Sequence, residues 1–430
     1  MNSAELSRDA TIDPAPPPRA SEARGVERML RARVVSSLAD LRGCRLTLVE
    51  GERTTVLGHA GTSTDATLEA TVRVHDPAFY RAVALNGSVG AGEAYMDGLW
   101  DCSDLVTLVR MLVLNRDHLD RMEGGLARIG GWAMRAWSAA TRNTRAGSRR
   151  NIAAHYDLGN DLFALFLDDN LMYSSAMFAH DDEALEVAST RKLERVCHAL
   201  ELGPQHRVLE IGTGWGGFAL HAARTTGCHV TTTTISREQA ELARARIAAA
   251  GLSERVEVIV EDYRDLRGQY DRIVSIEMIE AIGHQYLDTY FGAVGRLLVD
   301  DGKALIQAIT IEDHRYAQAL KSVDFIKRHV FPGSFIPSVA AMTAAQARAS
   351  DLRLLHLDEF GPSYALTLKA WRERFMSRLA DVRALGYPPR FVRLWEFYLA
   401  YCEGGFRERS IGVVHLLLGK PRAVPPQVIA

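Results

Sequence analysis

The run Val208-Leu209-Glu210-Ile211-Gly212-Thr213-Gly214-Trp215-Gly216-Gly217 is an apolar strand that ends in a glycine turn, and a helical run, 218–224, follows it. Glycines at such a turn let a ligand approach the backbone closely, and the helix start offers free N–H groups. Two ligand classes compete for it. Gly212, Gly214 and Gly217 fit G-x-G-x-x-G, the dinucleotide fingerprint. Gly212, Gly214 and Gly216, behind an acidic Glu210, fit E-x-G-x-G-x-G, the usual turn of an S-adenosylmethionine (SAM) site.

Three points favour SAM over NAD(P), FAD or a purely structural turn. A dinucleotide site seldom ends its first strand in a carboxylate. It also wants an acid at the end of its second strand for the ribose, whereas that strand ends here in Thr231-Thr232-Thr233-Thr234-Ile235-Ser236. The strand at 272–276 runs into Glu277-Met278-Ile279-Glu280, an acidic tip that suits a methyltransferase reaction centre.

On either side of this turn, strand signals at 208–211, 229–235, 256–260, 272–276, 304–309, 353–357 and 412–418 alternate with helical runs such as 237–250 and 286–298. This predicts a parallel, doubly wound α/β sheet: a seven-stranded, Rossmann-like SAM-dependent methyltransferase domain over 151–421. Ahead of it, 26–122 combines strands at 45–49 and 66–74 with helices at 78–85 and 104–113, a smaller α+β domain. Residues 1–25, rich in Pro, Ala, Ser and charge, read as a disordered tail without the apolar core of a signal peptide, and 422–430 as a second tail.

The chain has 430 residues, 51 Lys plus Arg and 53 Asp plus Glu, for a net charge of −2. That balance argues against nucleic acid as a partner. Five scattered cysteines without a C-x-x-C pair argue against a disulfide framework or a metal site, and fit a cytoplasmic protein. The charge is uneven, however. Residues 124–156 hold Arg128, Arg135, Arg142, Arg145, Arg149 and Arg150, with Trp132 and Trp137 and no acid. A basic linker helix over 123–150 with a solvated face is one reading. A peripheral membrane-surface element, with Arg at lipid phosphates and Trp at headgroup level, is the other.

Longer motifs add a family resemblance. Asn151-Ile152-Ala153-Ala154-His155-Tyr156-Asp157-Leu158-Gly159-Asn160 resembles the N-x-x-x-H-Y-D-x-x-N opening of cyclopropane fatty acid synthases. Tyr173-Ser174-Ser175-Ala176-Met177-Phe178 resembles their Y-S-C-A-x-F, and Thr234-Ile235-Ser236 with Gln239 their ribose loop. Asp271 to Gly283, Phe325 to Gly333, and Tyr364, Thr367, Leu368 and Trp371 complete the series. The resemblance spans about residues 65 to 421. It implies transfer of the SAM methyl to a cis double bond in an acyl chain of a membrane phospholipid, then proton loss that closes a cyclopropane ring. It also implies a bound bicarbonate ion as base.

That chemistry sets the candidate residues. An alkene cannot be activated by deprotonation, so the enzyme must align it and exclude water. The resulting carbocation gains about 0.5–2 kcal/mol from each aromatic face it meets, and Tyr173, Phe178, Tyr364 and Trp371 are candidates. By resemblance, bicarbonate is held by Glu280, Tyr364, the Ser175 backbone where the family has Cys, and Gln307 where it has His. Gln307 can donate to an anion but carries no proton. Glu277 ranks below Glu280, because the family varies there. Glu210, Gly212, Gly214, Gly216, Thr234, Ile235, Gln239, Asp262, Tyr263, Tyr173 and Ser174 are the SAM candidates. Proton loss from a chain carbon instead would leave a methyl-branched alkene. A small soluble substrate and a non-catalytic lipid-binding protein are the remaining alternatives, and a homodimer is left open.

Overall fold

The computed structural model describes residues 25–61, 67–122 and 159–424. The predicted tail (all but Gly25), the basic linker and residues 425–430 lie outside the described residues, as does the family opening up to Leu158.

Two sheets organise the chain. The first has β1 (Cys44–Glu50), β2 (Arg53–Leu57), β3 (Leu68–Val74) and β4 (Trp100–Cys102) in the order β2-β1-β3-β4. Only β1 and β3 were expected from sequence. β2 reads Arg-Thr-Thr-Val-Leu and is mostly exposed at the edge, so it lacks an apolar signal, and β4 spans three residues. The helix expected at 78–85 runs over Ala78–Met96. Asn86-Gly87 reads as a stop, but Gly87 (φ 53°, ψ −130°) makes a kink and the helix resumes beyond it.

The second sheet contains β5 (Arg207–Ile211), β6 (His229–Thr234), β7 (Val256–Val260), β8 (Tyr270–Ile276), β9 (Leu298–Ile311), β10 (Arg353–Glu359) and β11 (Ile411–Gly419). Their order is β10-β11-β9-β8-β5-β6-β7. All seven expected strands are present. β5 to β9 pair in parallel, but β11 runs antiparallel to both β9 and β10, so the sheet is mixed rather than all parallel. Periodicity reveals that a strand exists, not its direction.

The order reverses at β5, between β6 and β8. Such a switch point opens a crevice beyond the carboxyl ends of the strands. Glu210, Thr234, Asp262 and Glu277 all lie at or just past those ends. A continuous apolar core joins the first sheet and the helix Ala78–Met96 to the helices Gly361–Ser377 and Pro389–Arg407, which roof the crevice. Among the described residues, no helix is long and apolar enough to cross a membrane.

Candidate active site

A cavity of about 770 Å³ fills the crevice. One end is the glycine turn. Gly212, Gly214 and Gly216 take φ of 104°, 51° and 82°, values that favour glycine. Gly217 has an ordinary backbone, but a Cβ there would lie 2.5 Å from the Asn170 carbonyl oxygen. Gly216 caps the helix Gly217–Thr226, while Gly212 and Gly214 line the cavity. Trp215 is buried and donates through Nε1 to Asn160 Oδ1 at 2.7 Å, which ties the turn to the last residue of the family opening.

Tyr173, Ser174, Glu210, Thr234, Ile235, Gln239, Asp262 and Tyr263 line the same cavity. Ser236 caps the helix Arg237–Ala249 by accepting from Gln239 N–H, and Thr234 donates to Gln239 Oε1 at 2.9 Å. The T-I-S-x-x-Q pattern is therefore a capped turn that presents Thr234 and Gln239 beside β6. Asp262 is held by Arg264 at 2.5 Å. Glu210 accepts from Thr232 Oγ1 at 2.6 Å, and burial pushes its pKa up to about 8. A bound cation would favour the ionised form of Glu210, so an acid beside a glycine cradle suits the positively charged SAM, and these residues fit that cofactor.

Beyond the turn the wall becomes aromatic. Tyr173, Phe331, Tyr364, Tyr398 and Phe406 line it, with Leu85, Val89, Val109 and Val113 from the N-terminal region. Tyr173 and Tyr398 share a hydroxyl hydrogen bond of 2.9 Å. Phe178 and Trp371, expected at the reaction centre, do not line the cavity. Trp371 backs Tyr173 at 5.3 Å, and Phe178 N–H donates to Ser363 Oγ. Ala176 N–H likewise donates to Thr367 Oγ1 at 3.0 Å. The Y-S-S-A-M-F segment thus hangs from the helix that carries Tyr364.

The expected anion donors converge, but on Glu277. Its Oε1 accepts from Ser175 N–H at 2.9 Å and from Gln307 Nε2 at 2.7 Å, and its Oε2 accepts from Tyr364 Oη at 2.6 Å. Ser175 and Gln307 are fully buried behind Glu277, which itself faces the cavity. Glu277 holds φ 49°, an uncommon value for a non-glycine residue, and its N–H is anchored on Gln307 O at 2.9 Å. Burial raises the Glu277 pKa, against the lowering action of these hydrogen bonds and of Lys192. Glu280 also lines the cavity. Its Oε1 accepts from Ile309 N–H, its Oε2 has no partner among the described residues, and burial pushes its pKa up to about 8.

Two supporting residues escaped sequence reasoning. Lys192 is fully buried on the helix Leu185–Ala199 and donates to Ser174 Oγ at 2.9 Å; burial lowers its pKa to about 8. His415 on β11 lies with Nε2 3.0 Å from Gln307 Oε1, and burial lowers its pKa to about 3. Neutral His415 therefore donates through Nε2–H, which turns the Gln307 amide nitrogen toward Glu277. No local spacing marks either residue, because each acts across elements distant in sequence.

Residues 143–416 match the family model described as mycolic acid cyclopropane synthetase. The chain is 41% identical, over 79% of its length and 81% of the relative's, to the tuberculostearic acid methyltransferase UfaA1 of Mycobacterium tuberculosis. It is 37% identical to the cyclopropane-fatty-acyl-phospholipid synthase of Escherichia coli, over 83% of this chain and 89% of that one. Its structure is similar to that of mycolic acid cyclopropane synthase CmaA1 complexed with SAH and CTAB, with a TM-score of 0.59 at 30% identity, over 63% of this chain and 98% of the other.

Proposed function

This chain belongs to the mycolic acid cyclopropane synthetase family of SAM-dependent methyltransferases, and from that we propose that it methylates the cis double bond of an unsaturated acyl chain in a membrane phospholipid and closes a cyclopropane ring. The observation that carries this reading is the cavity itself. One continuous space joins a SAM turn to an apolar, aromatic chamber with a buried, tethered carboxylate. A small polar substrate would not need that chamber.

SAM supplies an electrophilic methyl group and leaves as S-adenosylhomocysteine (SAH). Gly212 and Gly214 give the backbone approach, Glu210 the charge match, Thr234, Ile235 and Gln239 the ribose side, and Asp262 and Tyr263 the adenine side. Tyr173 and Ser174 close the turn from above. Tyr173, Tyr364, Tyr398 and Phe406 align the alkene, exclude water and offer ring faces to the developing cation. Glu277, at the tip of β8, lines the same cavity as the SAM turn, and a base held there would favour ring closure over proton loss farther along the chain.

A second reading keeps the same first step and ends in a methyl-branched chain, as the name of the 41% identical relative suggests. Purified protein, SAM and vesicles of dioleoyl phosphatidylglycerol test both. The expected product is a phospholipid heavier by one methylene that resists mild catalytic hydrogenation. A product that takes up hydrogen establishes the branched alkene, and no mass gain overturns the reading.

A further inference from the structure

We propose that Glu277 is itself the base that completes the reaction, in the place where the resemblance expects a bicarbonate ion. The proposal rests on the methyl-transfer reading above and names the proton acceptor within it.

The donors available to such an ion are already engaged. Ser175 N–H, the Gln307 amide and the Tyr364 hydroxyl all end on the Glu277 carboxylate, at 2.9, 2.7 and 2.6 Å. A backbone amide and a tyrosine hydroxyl each have one proton to give. Carboxylate and bicarbonate present the same planar pair of oxygens, so the same donors suit either. An added anion would have to expel Glu277 or lie against it as a buried like charge, which is costly. Ser175 and Gln307 are also screened from the cavity by Glu277. The residues do not fit bicarbonate; they fit a carboxylate that the chain supplies.

The geometry also singles out an atom. Oε1 uses both lone-pair directions on Ser175 and Gln307, whereas among the described residues Oε2 accepts from Tyr364 alone. One lone pair of Oε2 remains. It takes a proton from the transferred methyl carbon. The C–H electron pair closes the third ring bond on the cationic chain carbon, and the proton later passes from Glu277 to solvent. The balance is SAM plus alkene giving SAH, cyclopropane and one proton.

Glu280 is the neighbouring alternative, and its environment assigns it another state. No side chain among the described residues donates to it, and burial pushes its pKa up to about 8. A neutral Glu280 spares Glu277 a like charge. Glu277, with three donors on its oxygens, has more support for its ionised form than Glu280 has, and unequal environments give two neighbouring carboxyl groups distinct roles.

The test uses the full-length protein with SAH or SAM in buffer stripped of carbon dioxide. Carbon-13 bicarbonate titrated into the SAH complex should show no saturable binding by NMR, and added bicarbonate should not change turnover on dioleoyl phosphatidylglycerol vesicles. Glu277→Gln should bind SAH normally and lose at least about 100-fold in ring formation. Saturable bicarbonate binding by the unmodified protein, turnover that depends on bicarbonate, or ring formation by Glu277→Gln at the unmodified rate each overturns the proposal. If the unmodified protein alkylates no lipid, the function proposed above fails instead, and the binding measurement still decides whether Glu277 fills the anion position.

Discussion

Tyr364 donates its hydroxyl to Glu277 Oε2 at 2.6 Å while its ring stacks on Phe406 at a centroid distance of 4.4 Å. The stack fixes the ring, so the hydroxyl cannot swing away from the carboxylate. Tyr364→Phe keeps the stack and removes the donor. A hydrogen bond to a charged group is worth about 1.5–3 kcal/mol, so turnover should fall about 10- to 100-fold. The ionised form of Glu277 loses support, so the acid limb of the pH–rate profile should move to higher pH. An unmoved limb with full turnover would show that the hydroxyl does not support the carboxylate.

Lys192 is a buried cation facing Glu277, Asp168 and Glu210. Lys192→Met leaves the hydrogen-bonded Glu277 carboxylate without that charge and should destabilise the protein by roughly 3 kcal/mol in urea unfolding at neutral pH. The Lys192 pKa is lowered to about 8. Above that pH the lysine is itself neutral in the folded protein, so the gap between the two proteins should narrow. A gap that stays constant to about pH 9.5 would mean that packing, not charge, is what the lysine supplies.

Glu210 and Glu280 both have pKa values raised from 4.5 to about 8, with burial as the main cause. Between those values the folded protein binds protons that the unfolded chain has released. Stability is therefore greatest below pH 4.5 as far as these two groups decide it, and is lost as pH rises toward 8. Without SAM, the melting temperature should fall by several degrees between about pH 5 and pH 8. Glu210→Gln should flatten part of that slope. A melting temperature that rises steadily over this range would contradict the assignment.

Much of this was legible in the sequence, and the gaps have physical causes. Most strands of the large sheet announce themselves as short apolar runs, as Val208–Ile211 does within β5, and β6 does so by its β-branched threonines. The antiparallel β11 does not, because its residues would look the same in either direction. The glycine turn was readable because Gly212, Gly214 and Gly216 sit in backbone conformations that other residues rarely adopt. The convergence of donors on Glu277 was not readable. Glu277 gains its three donors from Ser175, Gln307 and Tyr364, which lie 102, 30 and 87 positions away. Motif matching found all three donors, but Glu277 falls at an unspecified position within the pattern that runs from Asp271 to Gly283.

The glycine turn has a separable weak point. Gly212 has φ 104°, and a Cβ there would lie 3.3 Å from the Met278 side chain, next to Glu277. Gly212→Ala should strain the backbone by about 1–2 kcal/mol and press on the segment that aims Glu277. Both SAH affinity and turnover should drop. Gly251→Ala, also at positive φ (69°) but with nothing within 4 Å, makes the control. It should cost stability alone and leave SAH affinity unchanged. Equal loss of SAH binding in both variants would show general unfolding rather than a local effect on the turn.

The basic run is the last point at which sequence alone makes a prediction. Arg128, Arg135, Arg142, Arg145, Arg149 and Arg150 stand without an acid in 124–156, immediately before the SAM domain. If the acyl chain enters from a bilayer, the enzyme must stay at the surface long enough to extract it. Each cation near an anionic surface contributes about 1 kcal/mol, and the effect fades with salt. Replacing all six by Gln should weaken binding to phosphatidylglycerol vesicles by at least about 100-fold, with little change on neutral phosphatidylcholine. Turnover on detergent-dispersed lipid should be retained, since lipid delivered in micelles does not have to be reached at an anionic bilayer surface. Unchanged affinity for anionic vesicles would assign the arginines to a solvated linker and leave membrane approach to another surface.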